Sequence, residues 1–368
     1  MRHGSTDRTE SQPAAGKALP PRDLDEVLAA TAPLWRECSG RTFFLTGATG
    51  FFGTWLLESF VHANDRLALG MRAFVLTRNA EAFAHRAPHL RLHRDISLLE
   101  GDVRSFAFPE TRIDYVIHAA AEASARLNAE DPETMFDVIV EGTRRVLELA
   151  SRAGVEKLLL MSSGAVYGRQ PADMPHVSEE YCGGPDPLDP ASAYAEAKRA
   201  AEHMGAVHAR RHGYEFTVAR CFAFVGPHLP IDTHFAIGNF LRDALHGGPI
   251  RVAGDGTAMR SYLYASDLAV WIWTILFRGP AGQAFNVGSP DGISIGALAE
   301  VVREALGVAT GITIAMPPDP AYPVSRYVPS TMKAAKILGL KPTVGLADAI
   351  RRTYDWHRDC GETIPPGE

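Results

Sequence analysis

Tyr194 and Lys198 stand four residues apart in a stretch with helical spacing, residues 192–211, so both side chains leave one face. A free tyrosine hydroxyl titrates near 10, about three units too high to exchange protons usefully at neutral pH. A lysine ammonium one turn away favours the phenolate, and a nicotinamide cation nearby does the same. Lowering the hydroxyl by about 3 units takes about 4 kcal/mol, which two close positive charges in a dry cleft can supply. Ser163 follows an apolar run, 157–162, that reads as a strand. It would sit at the carboxyl edge of a sheet, where its hydroxyl can hydrogen-bond a reacting oxygen. Upstream, Gly47, Gly50 and Gly53 punctuate 46–53 between an apolar strand and an amphipathic helix. Gly47 allows the turn, Gly50 lets backbone N–H groups approach a pyrophosphate, and Gly53 lets the helix pack close to the strand. A Gly-x-x-Gly-x-x-Gly run alone is weak, and so is Tyr-x-x-x-Lys. In this order, with Ser162-Ser163 between them, they indicate a nicotinamide cofactor and hydride transfer.

The elements that must position these residues alternate. Strands are expected over 42–46, 73–77, 97–100, 115–118, 157–162 and 216–222, with helices over 54–61, 133–150 and 192–211. That pattern predicts an α/β fold, a Rossmann-type doubly wound parallel sheet with helices on both faces. Asp189-Pro190 reads as the N-cap and first-turn proline of the Tyr194 helix, and Gly213 as its end. Residues 1–21 read as a disordered leader and 22–40 as a helical extension that Pro33 kinks or interrupts. The dinucleotide-binding domain is expected over 41–226 with returns at 261–288. A smaller substrate-binding lobe would take 227–260 and 289–365. The second strand ends in Arg78 instead of an acidic residue; an acid there would bind the adenosine ribose and select NAD, whereas arginine can accept the 2′-phosphate of NADP. The residue leans toward NADP and leaves NAD open.

Composition sets limits. The 368 residues are 46% hydrophobic, enough for a sizeable core, and the net charge of −6 argues against nucleic acid as a partner. The four cysteines are scattered with no C-x-x-C spacing, so reduced thiols are expected and no metal site. Polar residues open the chain without a secretory apolar stretch, and the most hydrophobic run, 269–277, is too short to span a bilayer. A soluble cytoplasmic protein is expected.

The segments TGATGFFG (46–53), GDV (101–103), HAAA (118–121), EGT (141–143), SSGAVYG (162–168), YAEAK (194–198), RCFAFVGP (220–227), GDGTAMRSYLYASD (254–267) and FNVG (285–288) resemble, in order and spacing, the extended short-chain dehydrogenase/reductases of the nucleotide-sugar epimerase/dehydratase group. The resemblance runs from about Arg41 to Trp356. It implies that Gly47, Thr49, Gly50, Phe51, Phe52 and Gly53 cradle the pyrophosphate of NAD(P), that Asp102 and Val103 contact adenine, and that Ala119, Ala120 and Ala121 line its ribose. Ser163, Tyr194 and Lys198 would form the catalytic set, with Lys198 also holding the nicotinamide ribose. Arg260, Arg326 and Asn239 would bind the nucleotide-diphosphate sugar, and a planar guanidinium suits diphosphate oxygens. Asp267 would cap or orient the following helix. A homodimer through a four-helix bundle is also implied.

Departures from the group's pattern narrow the reaction. Its 4,6-dehydratases carry acids just after the catalytic Ser/Thr and its nucleotide-glucuronate decarboxylases commonly a Glu. Here Gly164 and Ala165 stand there, and neither transfers a proton. His176, Glu179 and Glu180 in the following loop read as solvated. Ile139 and Ala223 replace amide side chains usual in the group, and bear on substrate pose. The expected activity is a nucleotide-sugar 4-epimerase acting through a 4-keto intermediate, with a 4,6-dehydratase, a UDP-glucuronate decarboxylase or a 4-ketoreductase as alternatives. A non-catalytic cofactor-binding sensor is the remaining alternative, and the Tyr194→Phe variant separates it from an enzyme.

Overall fold

The computed structural model describes residues 16–120, 125–233, 235–319 and 323–360. Seven parallel strands form its main sheet: β1 (Thr42–Thr46), β2 (Arg72–Thr77), β3 (Ile96–Glu100), β4 (Tyr115–His118), β5 (Lys157–Ser163), β6 (Glu215–Cys221) and β7 (Gln283–Val287). Their order is β7-β6-β5-β4-β1-β2-β3, so the direction of winding reverses between β1 and β4. Both neighbours of that reversal present their carboxyl ends to one crevice, the place where open α/β sheets bind ligands. Strands such as β1 and β4 read as continuous apolar runs because helices cover both faces of the sheet.

The helices that matter to the site are α1 (Pro21–Arg36), α2 (Phe51–Leu67), α3 (Pro132–Ala153), α4 (Ala193–His212), α5 (Ala236–Leu245), α6 (Ala265–Arg278), α7 (Ile295–Leu306) and α8 (Leu346–Asp359). On one face of the sheet α2 and α6 pack over Phe43, Leu45 and Val75. On the other, α3 and α4 cover Phe44, Val116, Leu158 and Leu160. A further apolar cluster joins α5, α7 and α8 around Ile237, Phe240, Leu298, Val302 and Ile350. Short strand pairs accompany it. Ile250–Val252 runs parallel to Ile312–Ile314, while Met259–Arg260 lies between Ile293–Ser294 and Arg326–Tyr327.

Several local expectations are corrected. Helix α2 starts at Phe51, directly after Gly50 as N-cap, and runs to Leu67, well beyond 54–61. Its face from Gly53 to Phe60 is buried almost without interruption, so packing outweighs the helix-breaking tendency of the glycine. Helix α1 runs unbroken through Pro33. The proline is exposed, and the carbonyl it leaves unbonded belongs to Ala29, which is also exposed to water. The buried side of α1 is the i, i+4 row Asp23, Val27, Thr31 and Trp35. Asp189 caps a short 3-10 turn, Pro190–Ser192, and α4 begins only after it.

Part of the presumed leader is also fixed. The backbone N–H of Leu19 donates to Glu58 Oε2 at 2.8 Å, and the Leu19 side chain is buried. Residues 1–15 lie outside the described residues. The chain's two ends meet at Asp23, whose carboxylate accepts from Tyr264 Oη at 2.6 Å and from Arg352 Nη1 of α8 at 2.7 Å. Among the described residues, no helix is long and apolar enough to cross a membrane.

Candidate active site

The glycine turn connects β1 to α2, and its geometry explains each glycine separately. Gly47 has φ +68°, and a Cβ there would lie 2.5 Å from the Ala119 carbonyl and 2.7 Å from Ala120 N. The turn therefore passes against the end of β4 with no room for a side chain. A Cβ on Gly53 would lie 2.1 Å from Ala48 Cα, so the first turn of α2 rests directly on the loop. Gly50 differs: a Cβ there would meet only Gly47 O, at 3.7 Å. That open side lies at the positive end of a seventeen-residue helix. A crevice shaped in this way fits a dinucleotide pyrophosphate.

Thr49 belongs to the turn, and Phe51 and Phe52 form the first turn of α2, with the Phe52 ring edge-on to Phe224 at 5.1 Å. Thr46 ties the turn to the neighbouring strand. Its hydroxyl oxygen accepts from Ala120 N at 3.1 Å and lies 2.7 Å from His118 Nδ1. His118 Nε2 lies 3.1 Å from the Thr143 hydroxyl, which itself donates to the Ile139 carbonyl. Those roles fix a neutral imidazole with its proton on Nε2. Burial, aided by the Lys198 charge, pushes its titration down to about 3. Ala121 lies outside the described residues.

At the rim, Val103 is buried against Gly142, where a Cβ would meet Val103 Cγ1 at 2.8 Å. Asp102 is engaged by Arg104, which donates from its backbone N and Nε at 2.8 Å each and from Nη2 at 2.9 Å. The Arg104 guanidinium holds the Asp102 carboxyl down at about 2 against the opposing effect of burial. Arg78 is exposed just past the end of β2, and its charge also reaches Asp102.

Ser163, Tyr194 and Lys198 come together at the carboxyl ends of β5 and β6. Ser163 Oγ accepts from Ala165 N at 3.1 Å. Lys198 is buried; its Nζ donates to the Met161 carbonyl at 2.8 Å and lies 5.9 Å from the centre of the Tyr194 ring. Burial pushes the Tyr194 hydroxyl up to about 12, with the Ser163 side chain opposing it. Burial also pushes the Lys198 ammonium down to about 8. Both directions run against the expectation that lysine brings tyrosine toward neutrality. In the protein alone, loss of hydration is the largest influence on each group.

A further hydroxyl, Tyr327, went unmarked beside Arg326. Tyr327 Oη lies 3.3 Å from Ser163 Oγ and donates to the Cys221 carbonyl at 3.3 Å. Its strand pairs Tyr327 with Arg260 and Arg326 with Met259. Adjacent residues on a strand face opposite ways, so Arg260 shares the face of Tyr327 and Arg326 takes the other. Arg260 Nη1 donates to the carbonyls of Met259 at 2.8 Å and Ser325 at 3.3 Å. Asn239, in the first turn of α5, accepts from Arg242 at 3.1 Å.

The position after Ser163 is closed. A Cβ on Gly164 would lie 2.7 Å from two atoms of the Phe222 ring and 2.8 Å from Tyr327 Oη. The loop that follows contradicts one expectation: Glu179 is half-buried, and its Oε1 accepts from Asn286 N at 2.7 Å. Asp267 accepts from Thr343 and Val344, tethering α6 to that segment, while Tyr264 occupies the N-cap. Asn128 is another residue that sequence reasoning missed. It accepts from Tyr194 N at 3.0 Å and donates to Ala191 O at 2.8 Å, fixing the start of α4. Asp65, His93 and Asp95 cluster away from the site. There His93 Nδ1 faces the Asp95 N–H and Nε2 faces Asp65, the arrangement of a hydrogen-bonded pair.

The model of the NAD-dependent epimerase/dehydratase family matches residues 43–288. The chain belongs to that family. This epimerase/dehydratase is 30% identical over 323 residues to UDP-glucuronic acid decarboxylase 1 of Xenopus tropicalis, covering 88% of this chain and 73% of that protein. It is equally identical over 314 residues to UDP-glucuronic acid decarboxylase 6 of Arabidopsis thaliana, covering 85% and 87%. Among solved structures, the UDP-glucose 4-epimerase of Thermus thermophilus in complex with NAD superposes with a TM-score of 0.69 at 28% identity, over 86% of this chain and 99% of that one. The Rossmann-type sheet and dependence on a nicotinamide cofactor, NAD or NADP, are therefore established for this enzyme, and that cofactor supplies an acceptor and donor of hydride when bound.

Proposed function

We propose that this enzyme is a nucleotide-sugar 4-epimerase that works through a 4-keto intermediate with its nicotinamide cofactor retained. The turn at Gly47, Thr49, Gly50, Phe51, Phe52 and Gly53 would hold the pyrophosphate. Asp102, Val103, Ala119, Ala120 and Ala121 would surround the adenosine end, and Lys198 the nicotinamide ribose. Arg78, exposed where a ribose-binding carboxylate would otherwise stand, supports a site that admits NADP as well as NAD. Arg260, Arg326 and Asn239 would hold the diphosphate sugar.

In this reading Tyr194, as phenolate, would take the proton from the C4 hydroxyl, and the bound nicotinamide would supply the hydride acceptor. The positive charge of Lys198 favours that phenolate, and the oxidised nicotinamide adds to it. Ser163 polarises the C4 oxygen throughout. The 4-keto sugar would turn about its diphosphate linkage and present its other face to the hydride that the cofactor would supply, and Tyr194 would return the proton to the oxygen.

The observation that carries the choice of epimerase is the Gly164–Ala165 position. Neither residue moves a proton, and the Phe222 ring and the Tyr327 hydroxyl fill the space into which an acid at Gly164 would project. One observation favours a second reading: the 30% identical relatives are named as UDP-glucuronic acid decarboxylases, and a 4-keto glucuronate would lose carbon dioxide after the same first step.

Incubation with UDP-, dTDP-, GDP-, CDP- and ADP-hexoses and UDP-glucuronate, without added cofactor, separates the readings by mass-resolved chromatography. A product of unchanged mass and new retention is expected. Loss of carbon dioxide supports the decarboxylase, and loss of water overturns the argument from Gly164 and Ala165. We further propose a homodimer through the outer faces of α3 and α4, where Phe136 and Val207 are exposed, and a separate substrate lobe over 227–260 and 289–365.

A further inference from the structure

Ser163 and Lys198 belong to different elements and must be held at a fixed separation. Two rungs join the end of β5 to α4. Lys198 Nζ donates to Met161 O, and on the next residue and the next helical turn Ser162 Oγ donates to Glu202 Oε1 at 2.6 Å. Ser162 is buried, and the Glu202 side chain is only 14% exposed. Glu202 also receives a forked contact from Arg220 of β6, with Nε to Oε1 at 3.0 Å and Nη2 to Oε2 at 2.7 Å. Arg220 directly precedes Cys221, whose carbonyl accepts from Tyr327.

The bonds continue around the site. Arg220 Nη1 donates to Tyr167 Oη at 3.0 Å, Tyr167 Oη donates to Asn286 Oδ1 at 2.7 Å, and Asn286 Nδ2 donates to the Ser330 carbonyl at 3.1 Å. Ser330 lies three residues beyond Tyr327, which returns to Ser163 at 3.3 Å. Polar contacts, joined along the backbone from Ser330 to Tyr327 and from Ser162 to Ser163, thus surround Ser163, and Glu202 is the one side chain among them that binds α4, β5 and β6 together.

We propose that Glu202 is a positioning residue for hydride transfer, holding Ser163 and Lys198 in register through Ser162 and Arg220. This rests on the reading of Ser163, Tyr194 and Lys198 as the catalytic set. Glu202 touches none of the reacting atoms. Its effect is on where they stand, and displacements of about an ångström cost such reactions up to about a hundredfold.

Removing Glu202 strands Arg220 and threatens folding, so the decisive variant is Ser162→Ala, which cuts the rung to β5 and leaves the ion pair. Its kcat is expected to fall about tenfold to a hundredfold, with KM for the nucleotide sugar and Kd for NADH within about twofold of the parent. Ser162→Thr keeps the hydroxyl and should recover most of the loss. An unchanged kcat in Ser162→Ala, or a fall that threonine does not rescue, overturns the proposal. Should the parent protein convert no nucleotide sugar, the proposed reaction fails by itself, and amide hydrogen exchange across residues 161–167 then decides this point. Exchange about tenfold faster in Ser162→Ala than in the parent and Ser162→Thr supports positioning, and equal exchange overturns it.

Discussion

At the scale of single residues, burial is the dominant force on Tyr194, Lys198 and His118. Tyr194 and Lys198 are each displaced away from the charged form, to about 12 and about 8. A tyrosine so placed holds its proton in the protein alone, and a bound nicotinamide cation would add to the Lys198 charge that favours the phenolate. Tyr194→Phe is expected to lower turnover by about 100-fold to 10,000-fold while NADH still binds, as measured by steady-state rates and fluorescence titration. His118 gives a stability test with a definite sign. Its folded value is near 3 against an ordinary 6.5, so between those limits the unfolded chain takes up a proton that the folded one refuses. The stability it contributes is whole above about 6.5 and is lost as pH falls toward 3, by up to about 1.4 kcal/mol per unit. Melting curves from pH 7 to 4 should show this slope, and His118→Asn should flatten it. Types and spacing made Ser163, Tyr194 and Lys198 legible in the sequence. Tyr327 was not, because the fold brings it to Ser163 across 164 residues.

At the scale of elements, the glycine turn separates packing from ligand approach. Gly53→Ala would drive a methyl group into the Ala48 backbone, and should cost about 3 kcal/mol in denaturant unfolding. Gly50→Ala meets only ordinary contact at 3.7 Å, so the unliganded fold should keep its stability within about 0.5 kcal/mol. Its Kd for NADH should nevertheless rise, because the methyl group occupies the side from which phosphate approaches. Equal losses of stability in the two variants would contradict this division. Strand positions were readable from apolar runs to within a residue or so, since buried parallel strands have little other signature. Helix limits were less so. The start of α2 at Phe51 and the passage of α1 through Pro33 depend on which side of each helix is buried, and that is set by partners distant in the chain.

At the scale of the whole molecule, the Asp23 carboxylate is 1% exposed, and the Arg352 guanidinium is the charge that offsets it. Arg352→Met should destabilise the protein by about 3 kcal/mol, because it leaves a buried acid without its counter-ion. Asp23→Asn in the same chain should recover part of that loss, and paired urea titrations measure both. The sequence showed a helical extension at 22–40 without showing what it docks against, since the partner lies 329 residues away.

That distance also bears on how the polypeptide is made. During synthesis α1 emerges 329 residues ahead of the arginine that neutralises its buried acid, while the domain between them can already collapse. The apolar side of the first helix can seat earlier, since Trp35 packs on Phe60 and Trp273, but its buried charge stays unpaired until Arg352 is made. A product broken off before residue 352 leaves the Asp23 carboxylate without that partner, and so carries at its first helix a mark of its own incompleteness.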